Sequence, residues 1–510
     1  FRTRHAYLLG ATRMGKSTLL LNMIAQDALA GRGLFLIDPH GDLAQDVLAQ
    51  LPPERVPDTL YLDLSDRDFP LSLGLLDASD EWEGRLLCSD LLSIFHRLFA
   101  SSWGDRLEHI LRHVLLTLLA QPGHTLRDIR PLLADKAYRH ELLQHVRDPA
   151  LLSFWRDEFP AYSSSSFAPL YNKLGLLLSS PLLRNIVVQP QSRLPVGQLI
   201  RHKSIVLVNL AQGLIGEDNA HFLGALLVSK IQIAAMQSLR HAPEERVPCT
   251  LYVDEFQHFV VSSFSKILSE AGKAGLSLVM ANQFLEQLGE GLQTAILSNV
   301  GTLVSFRVSG DSARRLEREF GGHFNGHDLV DLAWGQAVVR IGQGSDSYAL
   351  DTLPPPPPAT DGRQIRHQAV ERTRRLCCRP RLEVEALWQE MMQKEGKQES
   401  EGPPAATKVT RQPSDTVPTG VAKSATRKSG DRLPASDPTG VADDRVAEPP
   451  VARRAPSREP DAAPRDQDAT RPKRTPLKAK VVRDKVSLSP AVEPMKSEAG
   501  THKPEKPAQT

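Results

Sequence analysis

The stretch GATRMGKST, residues 10–18, places Gly10, Gly15, Lys16 and Ser17 at the spacing G-x-x-x-x-G-K-[ST]. A triphosphate is held by backbone N–H groups that point inward and by the positive end of a helix. Glycines at 10 and 15 permit the backbone conformations and close approaches that such a cradle needs. Ala11, Thr12, Arg13 and Met14 fill the loop between them, and Thr18 follows as the last of the expected binding residues. Lys16 would bring its ammonium to the β- and γ-phosphates, and the Ser17 hydroxyl would join a magnesium shell. The pattern predicts a nucleoside-triphosphate site taking ATP and Mg2+.

Binding alone does not imply turnover, which needs a second set of residues. TLYVDEFQHF, residues 250–259, is a strand pattern ending in two acids. Asp254 is expected to hold the magnesium through water, and Glu255 to polarise an attacking water. A strand ending in solvated acids is the plainer reading of the same residues. SLVMANQ, residues 277–283, is another apolar strand ending in amides, with Gln283 placed to sense a γ-phosphate and Asn282 the weaker candidate. A pair of amides capping a strand end reads equally well. TLVSFRV ends near Arg307, which suits either charge developing on a transferred phosphoryl group or a surface ion pair. Asp38, His40 and Asp42 in LIDPHGDL are metal-ligand types, but one histidine with flanking acids is thin for a metal site. A tight loop beside the phosphates is the better expectation there.

The elements that must position these residues are also visible. Ala6–Leu9 reads as a buried strand, and Ser17, Leu20, Leu21 and Ile24 have the spacing of a one-faced helix. Further Val/Ile/Leu-rich runs fall at 34–37, 59–62, 205–210, 250–253, 277–280, 302–306 and 337–341. Continuous apolar strands alternating with helices imply an α/β fold with a mostly parallel sheet covered on both faces. Between 77 and 199 the pattern turns helical, as at Leu107, Ile110, Leu111, Val114, Leu115 and Leu118, and predicts an all-helical insertion. The core is therefore expected in two parts, 1–76 and 200–353. Residues 354–400 begin with five prolines and continue into an amphipathic helix bearing Val384, Leu387, Trp388, Met391 and Met392. That helix is expected to dock on the main domain, with partner binding as the alternative. Residues 401–510 contain no Phe, Tyr or Trp and are expected to form a disordered tail.

Charge excludes little. The chain has 62 Lys and Arg against 60 Asp and Glu, with a net +6 in the tail and −4 before it, so any basic nucleic-acid surface must be local. Cys88, Cys249, Cys377 and Cys378 lack metal-ligand spacing, which fits a reduced, cytoplasmic setting. No uninterrupted apolar run is long enough to cross a bilayer, and no signal-peptide pattern is present. The chain starts at Phe1 with its first strand close behind, consistent with a missing N-terminal part.

GATRMGKSTLL, FLIDPHGDL, IVLVNLAQGLIGEDNAHFLGALLVSKIQ, LYVDEFQHF, LSEAGKAGLSLVMANQ and FRVSGDSARRLEREF occur in that order. Together they resemble the HerA/FtsK superfamily, and more narrowly the ATPases related to type IV secretion and conjugative coupling proteins. The likeness runs from about Arg4 to Leu353, and SSWGDRLEHILRHVLLTLL resembles that subgroup's helical insertion. The resemblance implies a RecA-like P-loop NTPase core with central strand order 5-1-4-3-2. It also implies a homo-hexameric ring and ATP-driven translocation of double-stranded DNA through its pore. Lys16 and Ser17 would bind phosphate and magnesium, Asp254 and Glu255 would form the Walker B pair, and Gln283 would be the sensor. Arg307, Arg314 and Arg315 lie in the segment that carries family arginines acting across subunits, Arg307 being the first choice. Coupling proteins carry N-terminal membrane helices that this chain lacks, so a place in the cytoplasm or at the periphery of the inner membrane is expected. Movement of protein substrates in a secretion system, or a slow nucleotide-dependent switch, are the alternatives.

Overall fold

A computed structural model describes residues 4–100, 103–261, 264–342, 346–358 and 361–400. Its centre is a nine-stranded sheet in the order β3-β4-β2-β5-β6-β1-β7-β8-β9. The strands are β1 Ala6–Leu9, β2 Gly33–Asp38, β3 Thr59–Asp63, β4 Ile205–Asn209, β5 Cys249–Val253, β6 Leu276–Asn282, β7 Thr302–Ser305, β8 Gln336–Ile341 and β9 Ser347–Asp351. From β3 to β7 every pairing is parallel, whereas β8 and β9 continue the sheet antiparallel. Strands of the parallel part are buried along nearly their whole length, which is why each reads as an unbroken apolar run.

The central order β7-β1-β6-β5-β2 is the expected 5-1-4-3-2 of a RecA-like core. In a parallel sheet all carboxyl ends lie on one edge, and ligand crevices form there. That edge gathers Leu9, Asp38, Asn209, Val253, Asn282 and Ser305, so the loops that follow them meet. β4 lies between β2 and β3, and the chain from β3 to β4 passes through the helical region.

Among the described residues no strand falls between Glu81 and Arg201. Helix α3, Glu81–Leu98, opens on Asp80, whose side chain accepts from the Glu83 N–H. Helix α4, Asp105–Leu119, buries Leu107, Ile110, Leu111, Val114, Leu115 and Leu118, the face its spacing predicts. The long helix Glu217–Gln237 packs along α3. By length and composition its apolar stretch could cross a membrane, but most of it is buried inside this fold.

The segment after β9 departs from a free spacer. Asn22 donates to the carbonyls of Leu353 and Pro354, and Gln50 to that of Pro356, so the prolines lie against the helices α1, Lys16–Leu29, and α2, Asp42–Gln50. A helix the sequence did not announce, Gly362–Cys377, packs on β3 and α2. It presents only Ile365, Ala369, Thr373 and Cys377 as buried residues, too sparse a stripe to stand out. The Thr373 hydroxyl accepts from the Tyr61 N–H at 2.9 Å and so partners an edge-strand donor. The helix Arg381–Ser400 docks as expected: Val384 is fully buried, and the Trp388 ring lies 5.7 Å from the Arg127 guanidinium and 5.2 Å from that of Arg184. The tail expected to be disordered, 401–510, lies outside the described residues.

One buried carboxylate ties the loop-bearing helix to the sheet. Asp27 of α1 accepts from the Tyr252 hydroxyl of β5 at 2.6 Å and from Arg32 at 2.8 Å. Replacing Asp27 by Ala should cost about 2–3 kcal/mol, because it strands a buried hydroxyl. Tyr252→Phe, which leaves Asp27 its arginine partner, should cost about 1 kcal/mol. Urea unfolding of both variants checks the ranking.

Candidate functional site

β1 runs straight into the glycine-rich loop, and the loop is fixed from both sides. The Gly10 N–H donates to the Asn282 carbonyl at the end of β6, and the Ala11 N–H to the Arg307 carbonyl beyond β7. A Cβ on Gly10 would fall 2.5 Å from the Cβ of Phe306, so no other residue fits the approach. Gly15 has φ +114° and starts α1 without any side-chain cap. Arg13 adopts φ 62°, a left-handed backbone at a residue with a side chain. The first turn of α1 therefore offers uncapped N–H groups to an anion.

Lys16 is the first helical residue, and its Nζ donates to the Gly10 and Ala11 carbonyls. Burial pushes its ammonium pKa down, while the nearby carboxylates of Glu255 and Asp254 pull it up. Ser17, Thr12 and Arg13 are exposed at the loop surface, Thr18 is half-buried, and Met14 is buried beneath it.

The second half of the site stands at the end of β5. Asp254 is raised to about 6 by burial, then by the charges of Glu255 and Asp38, against the opposing pull of Lys16. Glu255 adopts φ 47°, strained for a residue with a Cβ by about 1–3 kcal/mol. This turn aims its carboxylate at two amides. One oxygen accepts from Gln283 Nε2 and the other from Gln257 Nε2, each at 2.7 Å. The Gln283 Oε1 in turn accepts from the Thr12 hydroxyl at 3.2 Å. A line of hydrogen bonds thus runs from the glycine-rich loop through Gln283 to Glu255. Asn282, the other amide candidate, is fully buried, with neither side-chain polar atom paired; its carbonyl serves the loop instead.

Arg307 lies against the loop of its own chain, with Nη2 at 3.0 Å from the Met14 sulfur. Arg314 pairs with Asp311 and Arg315 bonds the Thr294 hydroxyl, both from the helix Gly310–Glu319. Both of these partners lie outside the loop. Asp38 works as a structural acceptor: its carboxylate takes the N–H groups of His40 and Ala44 and fixes the turn into α2. The LIDPHGDL segment is accordingly a turn beside the site, with no metal group formed by Asp38, His40 and Asp42 among the described residues.

Two contributors escaped the sequence reading. Gln257 stands two residues after Glu255, but its contact depends on the left-handed turn at Glu255. Gly335 donates its N–H to the Met14 carbonyl, and Thr352 bonds Gly335 in turn, so the β8–β9 end of the sheet closes over the loop. No local pattern marks that pairing.

No family model matches this chain, and no curated protein matches it. Solved structures do. The unbound conjugative coupling protein TrwBΔN70 is 14% identical at TM-score 0.52, over 71% of this chain and 88% of that one. Plasmid coupling protein TrwB with ADP and Mg2+ is 17% identical at TM-score 0.51 over the same shares. A weaker likeness links the chain to VirB4 of Thermoanaerobacter pseudethanolicus, 11% identical at TM-score 0.45 over 69% of this chain and 90% of that one. At these identities the likeness shows the fold alone: this chain has the RecA-like fold of the TrwB structures.

Proposed function

We propose that this protein is an ATP-hydrolysing motor that moves double-stranded DNA. The observation that supports the reading is the line Thr12–Gln283–Glu255, which links the glycine-rich loop to the carboxylate we take as the general base. Lys16 sits within the field of both acids and is the group to hold the β- and γ-phosphates. Ser17 and Asp254 offer a hydroxyl and a carboxylate, the oxygen donors that suit magnesium. That ion, bound with the triphosphate, neutralises charge on its oxygens. Nearby positive charge also favours the ionised form of Asp254, which burial otherwise disfavours. Glu255 orients and deprotonates the attacking water, and Gln283 reports to it whether the loop is filled. TrwB, whose fold this chain shares, was solved with an ATP analogue and with ADP and Mg2+.

Assembly as a homo-hexamer around duplex DNA follows from the same reading, as does a setting among conjugation or type IV secretion components. Because Arg307 lies on its own loop, we assign it to charge neutralisation within the same chain. Arg314 and Arg315 are the candidates for a neighbour's site.

Lys16→Ala should abolish nucleotide binding, since no other loop cation reaches the same carbonyls. Glu255→Gln should keep ATP affinity within a few-fold while kcat falls by about 10²–10⁴, because the amide keeps the shape but takes no proton. Equilibrium binding of a fluorescent ATP analogue, run beside steady-state turnover, separates the two effects. Retained turnover with lost binding in Glu255→Gln would overturn the assignment.

Mixing experiments address the arginines. Lys16→Ala subunits mixed with Arg307→Ala subunits should stay inactive if each arginine serves its own loop. Mixing Lys16→Ala with the variant lacking the trans arginine, Arg314→Ala or Arg315→Ala, should restore part of the activity. Duplex DNA should raise wild-type turnover, with a salt dependence set by the phosphates contacted. An ATPase rate indifferent to DNA and to protein concentration would remove the ring and the translocase together.

A further inference from the structure

Next to the turn that follows β5, three side chains meet that the proposed reaction does not use. Glu217 and His221 lie one turn apart on the same face of the helix Glu217–Gln237. His258 ends the short 3-10 turn Phe256–His258 that follows Glu255. One ligand atom from each of the three lies within 4.8 Å of the others. The two imidazoles are stacked, with ring centroids 4.0 Å apart and planes 15° from parallel.

The arrangement leaves a polar atom without a use. His221 Nε2 is shut away from solvent and has no hydrogen-bond partner, with Glu217 Oε1 3.9 Å from it. A buried ring nitrogen in that state calls for an explanation, and a bound ion is one of the few available. A pocket of about 130 Å³ opens at this point, lined by Arg97, Asp218, His221, His258 and Val260 among others. Arg97 adds a positive charge to the surroundings, but its guanidinium is held by the Gln257 carbonyl at 2.6 Å. Asp218 supplies a carboxylate to the lining, and the exposed Glu217 carboxylate stands within 3.9 Å of His221.

We propose that Glu217, His221 and His258 form a binding site for a divalent transition metal of the Zn2+ class. Two imidazoles and one carboxylate match the donor set that zinc takes, with a fourth position left for water. Magnesium and calcium prefer all-oxygen shells and would not compete for it. Stacked rings direct their nitrogens side by side, so the imidazoles must turn out of the stack to face one ion, with the exposed Glu217 swinging in as the third ligand. Such an ion would bridge the helix Glu217–Gln237 to the turn that carries Glu255. Gln257 sits between His258 and Glu255 in sequence and bonds the Glu255 carboxylate, so the bridge would hold the base in place. The site itself stands independently of the ATPase reading; only this last consequence rests on it.

The test uses the full chain, stripped of metal by a chelator and titrated with Co2+ as a coloured substitute for Zn2+, in excess Mg2+. The expected result is one equivalent of Co2+ with the visible bands of a low-coordinate nitrogen-bound ion, displaced by Zn2+. His221→Ala and His258→Ala should each abolish those bands. Groups that merely orient a ligand are worth about 10–100-fold in metal affinity, so Glu217→Gln should weaken binding by at least about tenfold. Glu217 is exposed at a helix start, so that variant reports on the site even if a histidine variant fails to fold; circular dichroism identifies such a failure. Absence of stoichiometric bands in the wild type, or bands unchanged in folded His221→Ala or in Glu217→Gln, would overturn the site.

Discussion

The approach of Gly10 to Phe306 is the constraint on which the site depends. With no Cβ in the way, the strand end beyond β7 comes close enough to take the Ala11 N–H on the Arg307 carbonyl, while Asn282 takes the Gly10 N–H from the other side. The loop is thus held by its backbone at both neighbours of β1, before any side chain contributes. That leaves the inward N–H groups and the uncapped start of α1 free of internal duties. A cradle for anions needs this rigidity, because reorganising it on binding would lower affinity.

Around that frame, charge is concentrated. Asp254, Glu255 and Asp38 converge with a single buried ammonium, Lys16, among them. Like charges in a poorly solvated place disfavour ionisation, and the elevation of Asp254 to about 6 is the direct expression of that. Glu255 turns away from this cluster: its left-handed backbone carries the carboxylate to the amides of Gln283 and Gln257. Backbone strain at this residue and the hydrogen bonds it secures are two sides of one arrangement. The strain is local, but the bonds reach across from β5 to β6 and on to Thr12.

Much of this was legible in the sequence because parallel strands buried on both faces write themselves as apolar runs. Each of the eight expected strands is present, and the residues that end the seven parallel ones fall on one edge by geometry alone. What was not legible follows from the same physics. β9 exposes Tyr348 and Leu350, so its two-residue alternation looks like a loop. The position of β4 between β2 and β3 is decided by a crossover through the helical region, which no local pattern encodes. The contact of Arg307 with Met14 of the loop joins residues 293 positions apart, which no local pattern announces. Glu217, His221 and His258 escaped for a similar reason: the helix spacing of the first two is visible, but the third arrives by way of β5.

The chain beyond the sheet has a role that composition alone concealed. Leaving β9, it is bound by Asn22 on α1 and then by Gln50 on α2, crosses to the edge of β3 at Thr373, and ends with Trp388 between Arg127 and Arg184 of the helical region. Successive anchors therefore lie on the helix that follows the phosphate loop, on the sheet's far edge, and on the insertion. Proline stiffens the first part of this path, since a polyproline stretch transmits displacement where a flexible linker would absorb it. A shift of α1 when its N-terminus takes up charge would thus be felt at the helical region through a strap outside the sheet, in parallel with the direct link from Asp27 to Tyr252. Two such routes tie the loop, β5 and the insertion to one another through contacts on both sides of α1.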